Sequence, residues 1–219
     1  MKVRVFGHSS FNLPIVGYEF AGDGPEVLVL GGIHGDEYEG VATADGLLES
    51  LLQDNPFRLS ITLIPRANPD GVLLRTRSNG QGVDLNRNLP TKDWSPEIKN
   101  PRYNPGPRAG SEIENQVLMR LLEEKKPVFV LSLHSWHPVL NVNGPCRPQA
   151  EAIARLTGYK IDDDIGYPTP GCLGTYAGLE RPHATLTYEI ERGQSVPEIL
   201  KIHVPAVRAA LQATERIPS

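Results

Sequence analysis

The sequence has little of several features that mark other classes of protein. Its 219 residues include only two cysteines, Cys146 and Cys172, which are too few for a disulfide framework and do not form a close metal-binding pair. No stretch reaches the 18 or so consecutive apolar residues that a membrane span needs. The amino end also lacks the apolar run of a secretory signal. We therefore expect reduced thiols in a cytoplasmic protein that has no membrane partner.

Strong charge of one sign is also missing. The chain has 22 Lys plus Arg against 26 Asp plus Glu, a net charge of −4, and no run of basic residues. Proteins that bind nucleic acid usually carry a basic patch or stripe. The composition therefore predicts no nucleic-acid partner, and it leaves the oligomeric state open.

Glycine and proline, by contrast, are abundant. The chain has 21 Gly and 20 Pro, more than the usual combined share of roughly 12%. No repeat or low-complexity tract accounts for them, so we expect many ordered loops. Loops held on a rigid frame are where binding and catalytic residues tend to lie.

The hydrophobic pattern alternates between strand and helix periods. It predicts an edge hairpin (2–6 and 14–20), strands at 26–31, 59–65, 128–133 and 184–190, and helices at 41–52, 149–156 and 196–213. Ser111 and Glu114 have the spacing of a capping box and predict a further helix through Leu122. This order is typical of an α/β/α sandwich around a mixed, largely parallel, twisted sheet. No linker is visible, so we expect a single domain over residues 1–219.

A long polar stretch from about Ala67 to Gly110 separates the second and third of these central strands. Connections of that length inside a compact domain are usually functional. This one contains Arg75, Arg77 and Arg87 beside several asparagines. Loop arginines are most often solvated surface charges, but near a cation they would bind an anionic group such as a carboxylate.

Two histidines and a glutamate follow predicted strands. His34 and Glu37 come just after the first central strand, and His134 comes directly after the strand that ends at Leu133. The carboxyl ends of such strands are where ligands bind in α/β sheets, and two His with one Glu are a known catalytic zinc set. The alternative is a turn histidine and a hydrogen-bonded core histidine. Spacing alone leaves the two interpretations about equal.

Glu189 lies inside the apolar pattern of the last strand. A carboxylate there is costly unless it is paired or faces a cleft. It is therefore either a buried salt-bridge partner or, beside a zinc-bound water, a general base.

Five motifs in this order resemble the zinc carboxypeptidase family. They are His34-x-x-Glu37, Asn68-Pro69-Asp70-Gly71, the run from Asp84 to Asn88, His134 and Glu189. The resemblance covers roughly residues 26–192. It implies that His34, Glu37 and His134 hold one zinc ion per chain and that Glu189 is the catalytic glutamate.

The resemblance also implies how substrate is held. Asn86 and Arg87 match the pair that binds the free carboxylate of the substrate, and Tyr167 resembles the mobile tyrosine that covers it. Arg77 lies in an Arg-x-Asn pattern ahead of the Asp84 run and should polarise the scissile carbonyl. Arg75 is the competing candidate for that role.

The segment from Gly166 to Thr175 resembles a loop of the bacterial murein peptide amidases, small cytosolic members of the family. It has no acidic residue to pair with a basic substrate, and Cys172 stands where a serine is expected. Arg181 and Arg147 are candidates for an extra donor in this pocket. The implied activity is hydrolysis of the γ-D-Glu–meso-diaminopimelate bond of murein tripeptide during cell-wall recycling.

Two other activities stay open. One is a conventional zinc carboxypeptidase or a deacylase of N-acyl amino acids, both acting on small substrates with a free carboxylate. The other is an inactive zinc-binding module. That last alternative predicts loss of the general base or of the carbonyl-polarising arginine, and the sequence retains candidates for both.

Overall fold

A computed structural model describes residues 1–216. It contains one mixed sheet of eight strands in the order β1-β2-β4-β3-β5-β8-β6-β7. The strands are β1 (Lys2–His8), β2 (Pro14–Phe20), β3 (Glu26–Leu30), β4 (Ser60–Ile64), β5 (Phe129–Trp136), β6 (Val139–Asn143), β7 (Lys160–Asp162) and β8 (Ala184–Glu191). The helices are α1 (Tyr38–Gln53), α2 (Pro69–Leu74), α3 (Ile113–Lys125), α4 (Arg147–Thr157) and α5 (Val196–Glu215).

The centre of the sheet is parallel and its margins are antiparallel. β3 pairs in parallel with β4 and β5, and β5 pairs in parallel with β8. The predicted hairpin is confirmed: β1 and β2 pair antiparallel at one edge of the sheet. Apolar residues dominate β3, β5 and β8 because helices cover both of their faces.

Two apolar cores lie on opposite faces of the sheet. On one face α1, α4 and α5 pack through residues such as Leu47, Ile153 and Val207. On the other face α3 packs through Leu118 and Leu122, next to a π-helical turn at Gly174–Leu179. The predicted α/β/α sandwich is therefore confirmed. The predicted single domain extends to residue 219, and residues 217–219 lie outside the described part of the chain.

The predicted capping box at α3 is wrong. The helix begins at Ile113 after Glu112, and no side chain caps it. The Glu114 carboxylate instead accepts hydrogen bonds from the side chain of Asn79 and the main-chain N–H of Ser10. The Glu114 carboxylate is therefore bonded to residues distant in sequence and does not cap the start of α3.

The sequence pattern also missed several short elements. The stretch 67–110 contains α2 and two short 3₁₀ turns, and the strands β6 and β7 were not predicted. β7 has only three residues, too few for an alternating pattern to be recognised. Strand β5 runs on past Leu133, so His134 lies within the strand rather than after it. No helix in residues 1–216 is both long and apolar enough to span a membrane.

Candidate active site

The candidate site lies at the carboxyl ends of the three central parallel strands. His34 follows β3, while His134 and Glu189 are register partners on the neighbouring strands β5 and β8. Glu37 is the residue that immediately precedes α1. Because parallel strands end at the same edge of a sheet, residues that are far apart in sequence meet here.

Two histidines and one glutamate form a buried cluster. The carboxylate of Glu37 lies 2.9 Å from Nδ1 of His34 and 2.8 Å from Nδ1 of His134. The two Nδ1 atoms are 3.1 Å apart, and one ligand atom from each residue falls within 4.8 Å of the others. Three donors that converge on one point are a suitable set for a catalytic zinc, with a position left for water. The residues present therefore fit the metal.

The second nitrogen of each imidazole is also held. Nε2 of His34 lies 3.0 Å from Oδ1 of Asp84, and Nε2 of His134 lies 3.0 Å from the hydroxyl of Ser132. Hydrogen bonds of this kind orient metal-binding histidines and fix their tautomer. Neither Asp84 nor Ser132 has a role predicted from the sequence. Asp84 stood in a recognised motif, whereas nothing in the sequence marked Ser132.

The buried acids of the cluster are held as anions. Burial raises the pKa of the Asp84 carboxyl, but nearby His34 and Arg77 lower it more, so the net pKa lies well below its usual range. Glu37 is similar, since His34 and His134 together outweigh the effect of burial and lower its pKa. Both carboxylates are therefore charged at neutral pH.

Glu189 behaves differently. It is 7% exposed, and its Oε2 atom has no hydrogen-bond partner within residues 1–216. Burial raises the pKa of its carboxyl to about 7, and the nearby Glu37 charge adds to the rise. No described residue forms an ion pair with it, so the salt-bridge alternative lacks a partner. A carboxyl that exchanges its proton near neutral pH is suited to general acid–base work.

The two candidate arginines for carbonyl polarisation lie in different places. Arg77 lines the cleft, donates from Nε to Asp84 at 2.8 Å and lies 3.3 Å from the Glu37 carboxylate. Arg75 is exposed at the end of α2 and does not line the cleft. The structure brings Arg77, and not Arg75, to the cluster.

Arg87 is a buried guanidinium with no carboxylate partner among the described residues. It is 5% exposed, and within residues 1–216 the only hydrogen bond from its guanidinium is to the neighbouring main-chain carbonyl of Asn86, at 2.6 Å. The rings of Tyr103 and Tyr167 lie 5.2 and 6.0 Å from its guanidinium carbon. The Asn86 side chain accepts from the N–H of Leu173, which leaves its amide N–H₂ group available. Buried cations are normally paired, so this pair of residues is suited to a bound anion.

The cleft that holds Arg87 is also lined by uncharged polar side chains. They include Asn141, Asn143, Thr169, Cys172 and Thr187. Both cysteines of the chain are free thiols, as expected. The expectation for Arg181 and Arg147 is wrong: Arg181 donates to the Tyr176 carbonyl and stacks on that ring, and Arg147 pairs with Asp163. The other arginines that line the cleft are Arg102 and Arg192.

Known proteins resemble this chain in sequence. Residues 1–166 match the family described as zinc carboxypeptidase. A protein named murein peptide amidase A from Escherichia coli strain K12 is 30% identical over 184 residues, covering 78% of this chain and 74% of that protein. The protein of the same name from Vibrio campbellii is 32% identical over 197 residues, covering 84% and 77%.

Solved structures resemble it as well. The crystal structure of a murein-tripeptide amidase from Escherichia coli O157 superposes with a TM-score of 0.77 at 25% identity, covering 100% of this chain and 94% of that one. A carboxypeptidase A from Helicoverpa armigera superposes with a TM-score of 0.83 at 18% identity, covering 98% and 68%, and shows the shared fold alone. Given the sequence match over most of the chain and the fitting metal cluster, this protein belongs to the zinc carboxypeptidase family and is a zinc hydrolase.

Proposed function

We propose that this enzyme is a murein tripeptide amidase that hydrolyses the bond between γ-D-glutamate and meso-diaminopimelate. The observation that carries the proposal is the uncharged polar side chains, among them Asn141, Asn143 and Thr187, that line the cleft together with Arg87. Diaminopimelate bears an amine and a carboxylate at the end of its side chain, so it needs polar partners rather than an apolar or an acidic pocket. The names of the relatives from Escherichia coli and Vibrio campbellii support the same substrate.

In this proposal His34, Glu37 and His134 hold zinc through the atoms that converge in the cluster. Zinc bound there supplies a Lewis acid and lowers the pKa of a bound water from about 16 to about 7. Glu189 accepts the proton of the attacking water, whose oxygen joins the γ-carbonyl carbon. The same carboxyl then delivers a proton to the amine of diaminopimelate as the amide bond breaks.

The remaining residues position substrate and stabilise charge. Arg77 donates to the carbonyl oxygen as negative charge develops on it. Arg87 and Asn86 bind the carboxylate next to the scissile bond, which fixes that bond over the metal. Tyr167, whose ring packs edge-on against Trp136 at 5.4 Å, covers the bound residue.

We also infer the setting in which the enzyme acts. A free murein tripeptide is a product of cell-wall turnover, so the proposed activity belongs to peptidoglycan recycling in the cytoplasm. His134 and Glu189 lie on neighbouring strands of one sheet and the other proposed site residues line the same cleft, which supports a single catalytic domain. Conventional carboxypeptidase and N-acyl amino acid deacylase activities are the competing assignments.

The test is incubation with L-Ala-γ-D-Glu-meso-diaminopimelate, followed by mass spectrometry. We expect release of free diaminopimelate that stops when a chelator removes zinc and resumes when zinc is restored. An α-linked dipeptide with a free C-terminal carboxylate tests for conventional carboxypeptidase activity in parallel. An N-acetyl amino acid tests for deacylase activity. No release from the tripeptide by the zinc-loaded enzyme, with turnover of either parallel substrate, would overturn the proposed substrate and leave the zinc hydrolase in place.

A further inference from the structure

Two arginines in the cleft have no part in the mechanism described so far. Arg102 lies in the long stretch before α3, and Arg192 follows β8. Both line the same cleft as the metal cluster, and their side chains are 48% and 39% exposed. Both are therefore open to a ligand that enters the cleft.

These two guanidiniums share one carboxylate, that of Asp36, apart from a carboxylate of the proposed metal set. Nη2 of Arg102 and Nη2 of Arg192 lie 3.3 and 3.6 Å from the same oxygen of Asp36. Arg192 also lies 3.4 Å from the Glu37 carboxylate, but that carboxylate belongs to the proposed metal set. Charge-assisted hydrogen bonds are usually about 2.7–2.9 Å long, so neither arginine is well paired.

Two surface arginines of the same protein, unlike Arg102 and Arg192, each bind a carboxylate through two nitrogens. Arg66 holds Asp45 through two nitrogens, at 3.0 and 2.6 Å, and Arg58 holds Asp23 in the same way at 3.0 and 2.7 Å. Each of these cations has a carboxylate of its own. The pair around Asp36 therefore carries an excess of positive charge and free donors, inside the cleft rather than on an open surface.

The pair lies beyond the carboxyl end of β8, past the proposed base Glu189. Along β8, Thr187 and Glu189 line the cleft in turn, and Arg192 lines it just past the end of the strand. Arg192 is fixed there because its Nε donates to the Ser135 carbonyl at 2.8 Å. With Arg87 assigned to the terminal carboxylate and Arg77 to the scissile carbonyl, Arg102 and Arg192 are the arginines lining the cleft that are left for the other half of the substrate.

That other half carries a second carboxylate in the proposed substrate. In a γ-linked glutamate the α-carboxylate is free and lies four bonds from the scissile carbonyl carbon, about 5 Å away when extended. An ordinary α-linked peptide has a neutral amide in its main chain on this side. We propose that Arg102 and Arg192 bind the α-carboxylate of the γ-linked glutamate and so select γ-glutamyl over α-linked peptides. This inference rests on the proposed function.

The test uses two substrates that differ in one group: L-Ala-γ-D-Glu-meso-diaminopimelate and the same peptide with the α-carboxylate of glutamate converted to a carboxamide. We expect wild-type kcat/KM to favour the carboxylate by about 10-fold or more, and Arg102→Gln to abolish most of that preference. Arg155→Gln, on the exposed end of α4, is the charge-matched control and keeps the preference.

Arg192→Gln is the second variant. Arg192 contacts the proposed metal ligand Glu37 and the Ser135 carbonyl. The zinc content and melting temperature of the variant are therefore measured together with its kinetics. Inhibition by L-Ala-D-Glu and by L-Ala-D-isoglutamine gives a readout independent of turnover, and either variant should weaken only the first inhibitor.

The outcomes separate the two proposals. Equal turnover of both substrates by the wild type, or equal losses on both in each variant, overturns the role of the arginines and leaves the proposed function standing. Turnover of neither substrate by the zinc-loaded wild type overturns the proposed function and this inference together.

Discussion

The carboxylate of Asp84 lies 3.0 Å from Nε2 of His34, and its other oxygen accepts a hydrogen bond from Nε of Arg77 at 2.8 Å. One fully buried side chain thus orients both a proposed metal ligand and the arginine proposed to stabilise the carbonyl oxygen. His34 needs its Nε2 proton held in this way to present Nδ1 to the metal. The geometry of the metal and of the oxyanion donor is therefore linked through a residue that touches neither zinc nor substrate.

Replacing Asp84 should weaken zinc binding. We expect Asp84→Asn to lower zinc affinity by about 10–100-fold, since the neutral amide orients His34 less firmly and stabilises it less. Competition with a chromophoric chelator measures the affinity. Asp45→Asn, which alters an exposed ion pair with Arg66, is the matched control and should bind zinc like the wild type. Unchanged zinc affinity in Asp84→Asn would contradict the orienting role.

Replacing Glu189 should remove turnover and leave the metal. Glu189→Gln keeps the size of the side chain but takes away the proton acceptor, so we expect kcat to fall by about 100-fold or more. Zinc content, measured by atomic absorption, should stay near one per chain. Glu191→Gln at the exposed end of the same strand is the control. A Glu189→Gln enzyme with most of its activity would refute the general-base assignment.

The two arginines before the Asp84 run should differ in effect. Arg77→Gln should lower kcat by about 100-fold, because a donor to the developing oxyanion is lost. Arg75→Gln should change kcat little, since Arg75 is exposed outside the cleft. Steady-state kinetics on the tripeptide compare the two variants. The reverse order of effects would move the role to Arg75.

Replacing Arg87 should affect substrates according to their terminal carboxylate. Arg87→Gln should raise KM by roughly 10–100-fold for a substrate whose terminal carboxylate is free, because a charge-assisted hydrogen bond is lost. When that carboxylate is amidated, the peptide should be a poor substrate of both the wild type and Arg87→Gln. The substitution should then raise its KM less. Equal losses on the two substrates would rule out the docking role.

A buried histidine outside the proposed metal set predicts a loss of stability in mild acid. Burial lowers the pKa of His203 to about 4. Its Nδ1 accepts from the hydroxyl of Tyr188, its Nε2 donates to Gln194 at 2.8 Å, and the ring of Tyr159 lies nearby. The unfolded chain binds a proton there near pH 6.5 and the folded chain does not. His203 therefore contributes its full stability above pH 6.5, and this is lost as the pH falls toward 4.

Chemical denaturation at pH 7 and pH 5 measures this effect. We expect the free energy of unfolding to fall by roughly 1–2 kcal/mol from this residue. Residue 203 cannot titrate in His203→Gln. The free energy of unfolding of this variant should therefore differ less between pH 7 and pH 5, by that amount. An unchanged difference would mean that His203 has the same pKa in the folded protein as in the unfolded chain.

Much of the fold was predictable because it depends on local periodicity. The apolar runs of β3, β5 and β8 and the spaced leucines of α1 repeat with the period of their structure. The family and its zinc were also predictable, since five motifs in order are a specific pattern, and the comparisons confirm both. The role of each site residue stays a prediction, as does the single domain.

Other features were not predictable from local patterns. The capping box failed because Asn79 and Ser10, both distant in sequence, bind Glu114. The prediction that Arg181 or Arg147 supplies a donor to the substrate pocket was wrong because Arg181 bonds the Tyr176 carbonyl and Arg147 pairs with Asp163.

The sequence by itself determined most of the strands and helices, their order, and which residues lie at or near the carboxyl ends of the central strands. Only the tertiary structure decided which partner each of those residues has. Asp84 meets His34 across 50 positions, and Arg102 and Arg192, which are 90 positions apart, meet at Asp36. The physical reason is that periodicity records the direction in which a side chain points, whereas hydrogen bonds and unpaired charges depend on the packing of segments far apart in sequence.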